Sequence, residues 1–260
     1  MKIEKESVFI LSNTPYRDSD LIVTLLSPNY GLLSATIYGG KKIGKQTSFP
    51  FHLGDYIDID FQIQERNEFI KIFSSQKIVL LDVERFSYLH FLFHCYFLET
   101  IRQIAKPGNP AGELTSLLSD YVNINWQNQY EINQMVYFTD KLIKNIGFGI
   151  NYDHCLSCFQ PTWKLDNNKS IFRKKQYYLG IFESGLICQS CVSNAAIPVS
   201  SAMIKLFWLL DENPQDIFKS IPVEIMISII ELQHQYLTQT LEIKIKSAEM
   251  LFTELKKKMV

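Results

Sequence analysis

The stretch Asp55-Tyr56-Ile57-Asp58-Ile59-Asp60-Phe61-Gln62-Ile63 decides the reading of the first third of the chain. Ile57, Ile59, Phe61 and Ile63 alternate with Tyr56, Asp58, Asp60 and Gln62, the period of a strand with one buried and one wet face. Working outward, Ser7–Ser12, Asp20–Ser27 and Leu32–Tyr38 are short runs rich in Val, Ile, Leu and Tyr. Turn formers separate them, among them Asn13-Thr14-Pro15 and Pro28-Asn29-Tyr30-Gly31. Glu68–Phe73 repeats the alternation after Glu65-Arg66-Asn67, and Lys77–Asp82 adds a sixth candidate run. Five or six short strands with tight turns and no intervening helix predict a small antiparallel barrel over residues 1–82.

After Asp82 the period changes. Glu84–Ala105 reads as an apolar helix stopped by Pro107-Gly108, and Asn109-Pro110 as a cap followed by proline at the first helical position. A third helix spans about Glu131–Ile146 and ends at Gly147. Helices resume near Ser200, again after Asn213-Pro214, and from Pro222 onward with a break near Ser247. The predicted class is therefore α+β: a β domain at 1–82, then a helical domain at 83–260 with an irregular cysteine module inserted at about 151–195.

That module carries the strongest single signal. Cys155 and Cys158 form one Cys-x-x-Cys pair, and Cys188 and Cys191 a second, with 29 residues between them. Two residues between cysteines let both thiolates turn to one ion, and two such pairs complete a tetrahedron with no open position, so a structural zinc is expected. The intervening length is read as a β-hairpin carrying Phe172–Leu179. Free buried thiols and a redox pair are the competing readings, but a redox Cys-x-x-Cys belongs after a strand in a βαβ unit, and none is visible. Cys95 lies in an apolar helix and reads as core.

The chain has 260 residues, 47% hydrophobic and 20% charged, with formal net charge −1. Any nucleic-acid contact must therefore come from local basic patches. One such patch is Gly39-Gly40-Lys41-Lys42-Ile43-Gly44-Lys45, inside an acid-free interval from Asp20 to Asp55. It imitates a P-loop, and Ile78-Val79-Leu80-Leu81-Asp82 imitates the magnesium-linked partner motif. Gln46 stands where a magnesium-ligating Ser or Thr is required, and Pro50 and Gly54 interrupt the helix that should follow, so nucleotide hydrolysis is rejected. Two readings of the lysines stand side by side: a phosphate contact, or a solvated loop. A second acid-free window, Asn167–Phe182, holds Lys169, Arg173, Lys174 and Lys175 beside Tyr177 and Tyr178, with the same two readings. Lys256-Lys257-Lys258 suits the end of a helix. No catalytic constellation is found; His90 and His94 read as packing residues. The N-terminus lacks the apolar run of a signal peptide, and Phe86–Leu98 is too short to span a bilayer, so a cytoplasmic location is expected.

Taken together the landmarks resemble the RecO family of recombination mediators. The resemblance runs through Val8-Phe9-Ile10-Leu11, Pro15-Tyr16-Arg17-Asp18-Ser19-Asp20-Leu21-Ile22-Val23, the Tyr30–Ala35 block and the basic turn Gly39-Gly40-Lys41-Lys42. It continues in Leu142–Phe148 ahead of the first cysteine pair, in Gly185–Cys191, and in Leu241-Glu242-Ile243-Lys244-Ile245-Lys246-Ser247. It implies an N-terminal OB-fold, a helical domain and a zinc module. It also implies binding of single- and double-stranded DNA, annealing, partnership with RecR, contact with the single-stranded-DNA-binding protein, loading of RecA, and a place on the bacterial nucleoid. Arg17, Lys41, Lys42, Lys45, Arg173, Lys174 and Lys175 are the DNA-contact candidates, and no membrane is involved. The chain departs from the family in carrying lysines where arginines are usual in the basic turn, and Ala248 after Ser247. The competing class is a zinc-stapled protein-interaction scaffold without direct DNA binding.

Overall fold

A computed structural model of the chain describes residues 3–38, 52–63, 69–79, 86–124, 131–166, 169–172, 176–192, 196–212 and 221–258. The described chain divides into two compact units. The first comprises Met1–Asn125 with Ile245–Leu251, and the second Trp126–Lys244 with Phe252–Val260.

The first unit is built on a closed five-stranded, OB-like barrel of β1 (Glu4–Tyr16), β2 (Asp20–Ser27), β3 (Gly31–Ile37), β4 (Tyr56–Ile63) and β5 (Phe69–Val79), in the order β1-β2-β3-β5-β4. β4 closes on β1 with Val8 opposite Ile57, and β3 meets β5 in the single parallel pairing. Val8, Ile10, Val23, Leu25, Ala35, Ile57, Ile59 and Phe61 fill its interior. The alternation of β4 holds from Tyr56 to Phe61, but Ile63, at the strand's end, is 43% exposed and not buried as expected. The two runs Glu68–Phe73 and Lys77–Asp82 are joined, as far as Val79, into the one strand β5.

Asn13-Thr14-Pro15 is not a turn. These residues continue β1 against Val23, Ile22 and Leu21, and the chain reverses only at Arg17-Asp18-Ser19. The reason is positional: β4 covers β1 only from Glu4 to Phe9, so among the described residues the far half of β1 has β2 on one side alone, where a proline without an N–H breaks no ladder. A register shift between Ile10 and Ser12 lets Val8, Phe9, Ile10 and Leu11 all be buried. Such an unbroken apolar run belongs to a strand covered on both faces; here the barrel core lies on one side, and α1 (Tyr88–Ile104) and α2 (Gly112–Asn123) also pack on β1.

Ser87 caps α1, its Oγ accepting from the His90 N–H at 3.0 Å. α2 starts at Gly112, not at Pro110, and its cap, Ala111, makes no side-chain hydrogen bond. The Lys106–Ala111 backbone is used elsewhere: Leu32 N–H donates to the Lys106 carbonyl, Gly108 N–H to Tyr30 and Ala111 N–H to Pro28. The Glu99 carboxylate on α1 accepts from the backbone N–H groups of Lys246 and Ser247 and from Ser247 Oγ, at 3.1, 2.9 and 2.7 Å. Burial alone would raise its pKa, but the Ser247 and Lys246 donors hold it below the usual carboxylate value.

His90 and His94 are buried in this unit. His94 Nε2 lies 3.0 Å from the Leu53 carbonyl and Nδ1 3.1 Å from Tyr121 Oη, while His90 stacks on Phe86. Burial pushes His94 down to about 4 despite the Leu53 carbonyl and Asp55, and burial with the nearby His94 pushes His90 to about 3. Both are neutral in the fold, whereas an unfolded histidine takes its proton near pH 6.5. Their contribution to stability is thus complete above pH ~6.5 and lost as pH falls from there towards 4. Stability should drop by about 1.4 kcal/mol per pH unit for His94 across that window, His90 adding in the same direction. Urea unfolding between pH 7.5 and 4.5 should show the slope, and His94→Gln should flatten it while lowering stability at pH 7.5; an unchanged slope would refute the assignment.

The second unit contains α3 (Glu131–Asn145), two hairpins and a fifth strand, then α4 (Ser201–Glu212) and α5 (Val223–Thr240). α6 (Ala248–Lys257) follows the break at Leu241–Ser247. α3 and α5 pack together, Gln233 Nε2 donating to the Val136 carbonyl and Tyr236 Oη to that of Phe148. β6 (Trp163–Asp166) pairs with β7 (Lys169–Phe172), while β8 (Tyr177–Gly180) lies between β9 (Gly185–Cys188) and β10 (Ala196–Val199). Among the described residues, the interval between the cysteine pairs therefore holds two hairpins, with Phe172 ending the first and Tyr177–Leu179 in the second. Among the described residues no helix is long and apolar enough to cross a membrane.

Candidate metal centre and nucleic-acid interface

Each cysteine pair sits on a tight turn. In the first, Phe159 N–H donates to the Cys155 carbonyl and Cys155 N–H to that of Gln160. In the second, at the end of β9, Cys191 N–H and Val192 N–H both donate to the Cys188 carbonyl. The turns face each other because Leu156 N–H donates to the Leu186 carbonyl of β9, and Asn151 bridges to Gly185. A Cβ at Gly185 would lie 2.5 Å from Leu156 Cδ1, so the Leu156 side chain would have to move aside to admit one.

The result is a cluster of four sulfurs, all within 4.8 Å of one another, with Cys158 Sγ and Cys188 Sγ 3.8 Å apart. Four thiolates around one ion at about 2.3 Å would have edges of about 3.8 Å, so the set fits a tetrahedral metal. Cys155 and Cys188 are buried, Cys191 is half-buried and Cys158 exposed. Burial would raise the Cys155 thiol, but backbone N–H groups of Cys188, Cys158 and Ser157 aimed at its sulfur bring it down to about 6. Cys191 is pushed up to about 12, first through its hydrogen bond to Cys188 and then by burial and the neighbouring sulfurs. Sulfurs this close oppose one another's ionisation, and a bound cation would relieve that opposition. The cluster can hold a metal ion with every position filled by protein.

The barrel offers a different surface. Tyr16 at the end of β1, Ile22, Thr36, Tyr38 just beyond β3, and Phe69 and Lys71 on β5 line an open groove of about 660 Å³. Tyr38 is 76% exposed, and Tyr16 and Phe69 are exposed to a lesser degree. The Arg17 guanidinium lies 5.1 Å from the Tyr16 ring centre, in a turn where Arg17 itself has φ +48°. Lys71 Nζ lies 5.1 Å from the Phe73 ring. Tyr56 is not part of this surface; it stacks on Phe9 at 4.4 Å.

Of the DNA-contact candidates, Arg17 lies over Tyr16, a residue of the groove, while Lys41, Lys42, Lys45, Arg173, Lys174 and Lys175 lie outside the described residues. Tyr177, inside the second basic window, is buried. Phe69 and Lys71 escaped the sequence reading, though a signal was present: Phe69, Lys71 and Phe73 share one parity in β5, opposite the more buried Ile70 and Ile72.

The comparisons with known proteins agree along the chain. Residues 1–78 match the sequence model for the N-terminal part of recombination protein O, and residues 85–249 that for its C-terminal part. The chain is similar to a DNA repair protein RecO from Syntrophus aciditrophicus, 26% identical over 79% of this chain and 77% of the relative. It is 22% identical to one from Thermoanaerobacter sp. over 96% and 97%, and 24% identical to one from Clostridium novyi over 99% and 96%. An OB-like barrel, a cysteine cluster able to hold a metal and these matches over nearly the whole chain lead to one assignment: the chain belongs to the recombination protein O (RecO) family of DNA repair proteins.

Proposed function

We propose that this chain binds and anneals DNA and, with RecR, helps load RecA on single strands coated by the single-stranded-DNA-binding protein, making and breaking no covalent bond. The observation that carries the DNA-binding part is the barrel groove, where three exposed aromatic rings stand beside Arg17 and Lys71. Aromatic faces next to cations are what single strands require, since every base has a π-face and every nucleotide a phosphate. In OB-folds the β2–β3 face and the loops after β1 and β4 are the usual oligonucleotide surface, and Arg17 and Phe69 flank those loops here. The Gly39–Lys45 segment follows Tyr38 directly in sequence, and its Lys41, Lys42 and Lys45 would supply phosphate contacts. RecR and the single-stranded-DNA-binding protein are partners by family membership, as are duplex DNA and a cytoplasmic, nucleoid-associated location.

The metal assigned to Cys155, Cys158, Cys188 and Cys191 is zinc, one per chain. Bound zinc would supply four strong bonds joining the two turns, with no position left for substrate.

The lysine turn is tested by salt. Each phosphate contact on single strands should lower log affinity by about 0.7 per unit of log salt, through release of counterions. Replacing Lys41, Lys42 and Lys45 together by alanine should weaken binding to all sequences alike and flatten the slope by up to about 2 units. Fluorescence anisotropy on a mixed-sequence oligonucleotide across a salt series reads both quantities. Identical affinity and slope in wild type and triple variant would remove the lysines from the interface. Absence of any salt-dependent binding by the wild type would favour the protein-interaction scaffold.

A further inference from the structure

A second aromatic surface lies beside the metal centre. His154, Phe159, Pro161, Trp163 and Trp208, with Asp153 at one edge, line an open groove of about 780 Å³. His154 immediately precedes Cys155 and Phe159 immediately follows Cys158, so the first metal-binding turn itself presents their rings, stacked at 5.8 Å and 25°. Trp163, the first residue of β6, and Trp208, on α4, are tilted at 48° with centres 6.3 Å apart. Phe159 is 71% exposed and has φ +57°. Asn or Gly reach that conformation more easily, and a large apolar side chain gains little by standing in water. Strain and exposure on the same aromatic residue, beside two tryptophans, indicate a surface kept for a ligand.

We propose that this groove binds unpaired bases of single-stranded nucleic acid by stacking, as a site separate from the barrel. The proposal rests on the DNA-binding reading above and adds a second strand-binding surface to it. Open aromatic faces accept any base. Asp153 repels phosphates, so rings and not backbone meet the groove. Counter-charge is present in the same module: the window 167–182 has four basic residues and no acid, and Phe172, which pairs with Trp163, is followed in sequence by Arg173-Lys174-Lys175. A mediator of annealing with two such surfaces could hold two strands on one chain.

The test uses the full-length protein with Trp126→Phe, so that emission comes from Trp163 and Trp208, the other two of its three tryptophans. A short oligothymidylate should quench that emission, whereas an abasic oligonucleotide with the same number of phosphates should not at equal concentration. Phe159→Ala should weaken the quenching midpoint by about 5- to 100-fold, the range for loss of one stacked base. Phe159→Tyr, which keeps a ring, should restore it. Alanine at Lys41, Lys42 and Lys45 should leave the quenching in place. Equal quenching by the abasic strand, or an unchanged midpoint in Phe159→Ala, overturns the second site. Loss of quenching in the lysine variant also overturns it, because one barrel site would then account for all binding. If the lysine variant instead binds like wild type while Phe159→Ala is impaired, the three lysines drop out of the interface and the groove beside the cysteine cluster stands.

Discussion

Replacing Cys155 or Cys188 by serine should abolish metal binding at the cysteine cluster and unfold the module around it. Both side chains are buried, and their turns are held together by few backbone hydrogen bonds between Leu156, Asn151 and β9. β8 and β9 have four residues each and belong to a small three-stranded sheet with β10, so a metal cross-link between the two turns adds substantially to the local stability. Apparent binding free energies of four-ligand zinc sites are on the order of 10 kcal/mol, and in a small module that energy is folding energy. Loss of a buried ligand should therefore cost several kcal/mol locally. Cys158→Ser, at the exposed corner, should be the milder change. Metal analysis should find about one zinc per chain in the wild type and little in Cys155→Ser. Hydrogen exchange should rise sharply at Tyr177–Cys188 and leave β1–β5 protected. A wild type without metal, or a serine variant with unchanged melting and exchange, would dispose of the centre.

Gly31→Ala should be the most damaging single-atom-scale change in the barrel unit. Gly31 has φ +68°, and a Cβ there would lie 2.2 Å from the Lys106 carbonyl oxygen and 2.3 Å from that of Asn109. These are backbone atoms, held by the pairing of Tyr30 and Leu32 with Gly108 and Lys106, so no side chain can swing aside. Backbone strain of about 1–3 kcal/mol and a steric clash of about 1–3 kcal/mol should together cost about 3 kcal/mol or more. The Lys106–Ala111 segment would detach from β3 before the barrel opens. Gly108→Ala supplies the comparison: it too has positive φ, +75°, but open space around the added atom, and it should lose only the strain. Denaturant midpoints for the two variants measure the difference, and equal losses would show that the close approach does not matter.

The resemblance of the Tyr30–Ala35 block to its family gains a physical content from this contact. Tyr30 and Gly31 are where the barrel receives the chain that leaves α1, which no pattern of polar and apolar residues reveals. The same holds for Ser247 in the C-terminal signature: its N–H and hydroxyl satisfy Glu99, 148 residues away in sequence.

What could be read from one dimension was whatever depends on neighbours along the chain. The period of two in Tyr56–Phe61 gave the strand and its inner face, the Gly147 stop gave the end of α3, and the two Cys-x-x-Cys spacings gave four sulfurs for one ion. These signals are local because side-chain direction in a strand and the reach of a thiolate from a turn are set within a few residues. Local preference misleads where a distant partner overrules it. Asn13-Thr14-Pro15 looks like a turn, yet β2 pairs with it and the missing proline N–H faces no strand. Pro110 looks like a helix start, yet the backbone there is already committed to Tyr30 and Pro28. Tyr16, Tyr38 and Phe69 lie far apart in sequence, and only the closing of the barrel brings their rings into one groove. Trp163 and Trp208 likewise meet only because a hairpin and a helix fold against each other. The aromatic surfaces are properties of tertiary structure, since exposure depends on what the rest of the chain fails to cover, and no local window contains that information.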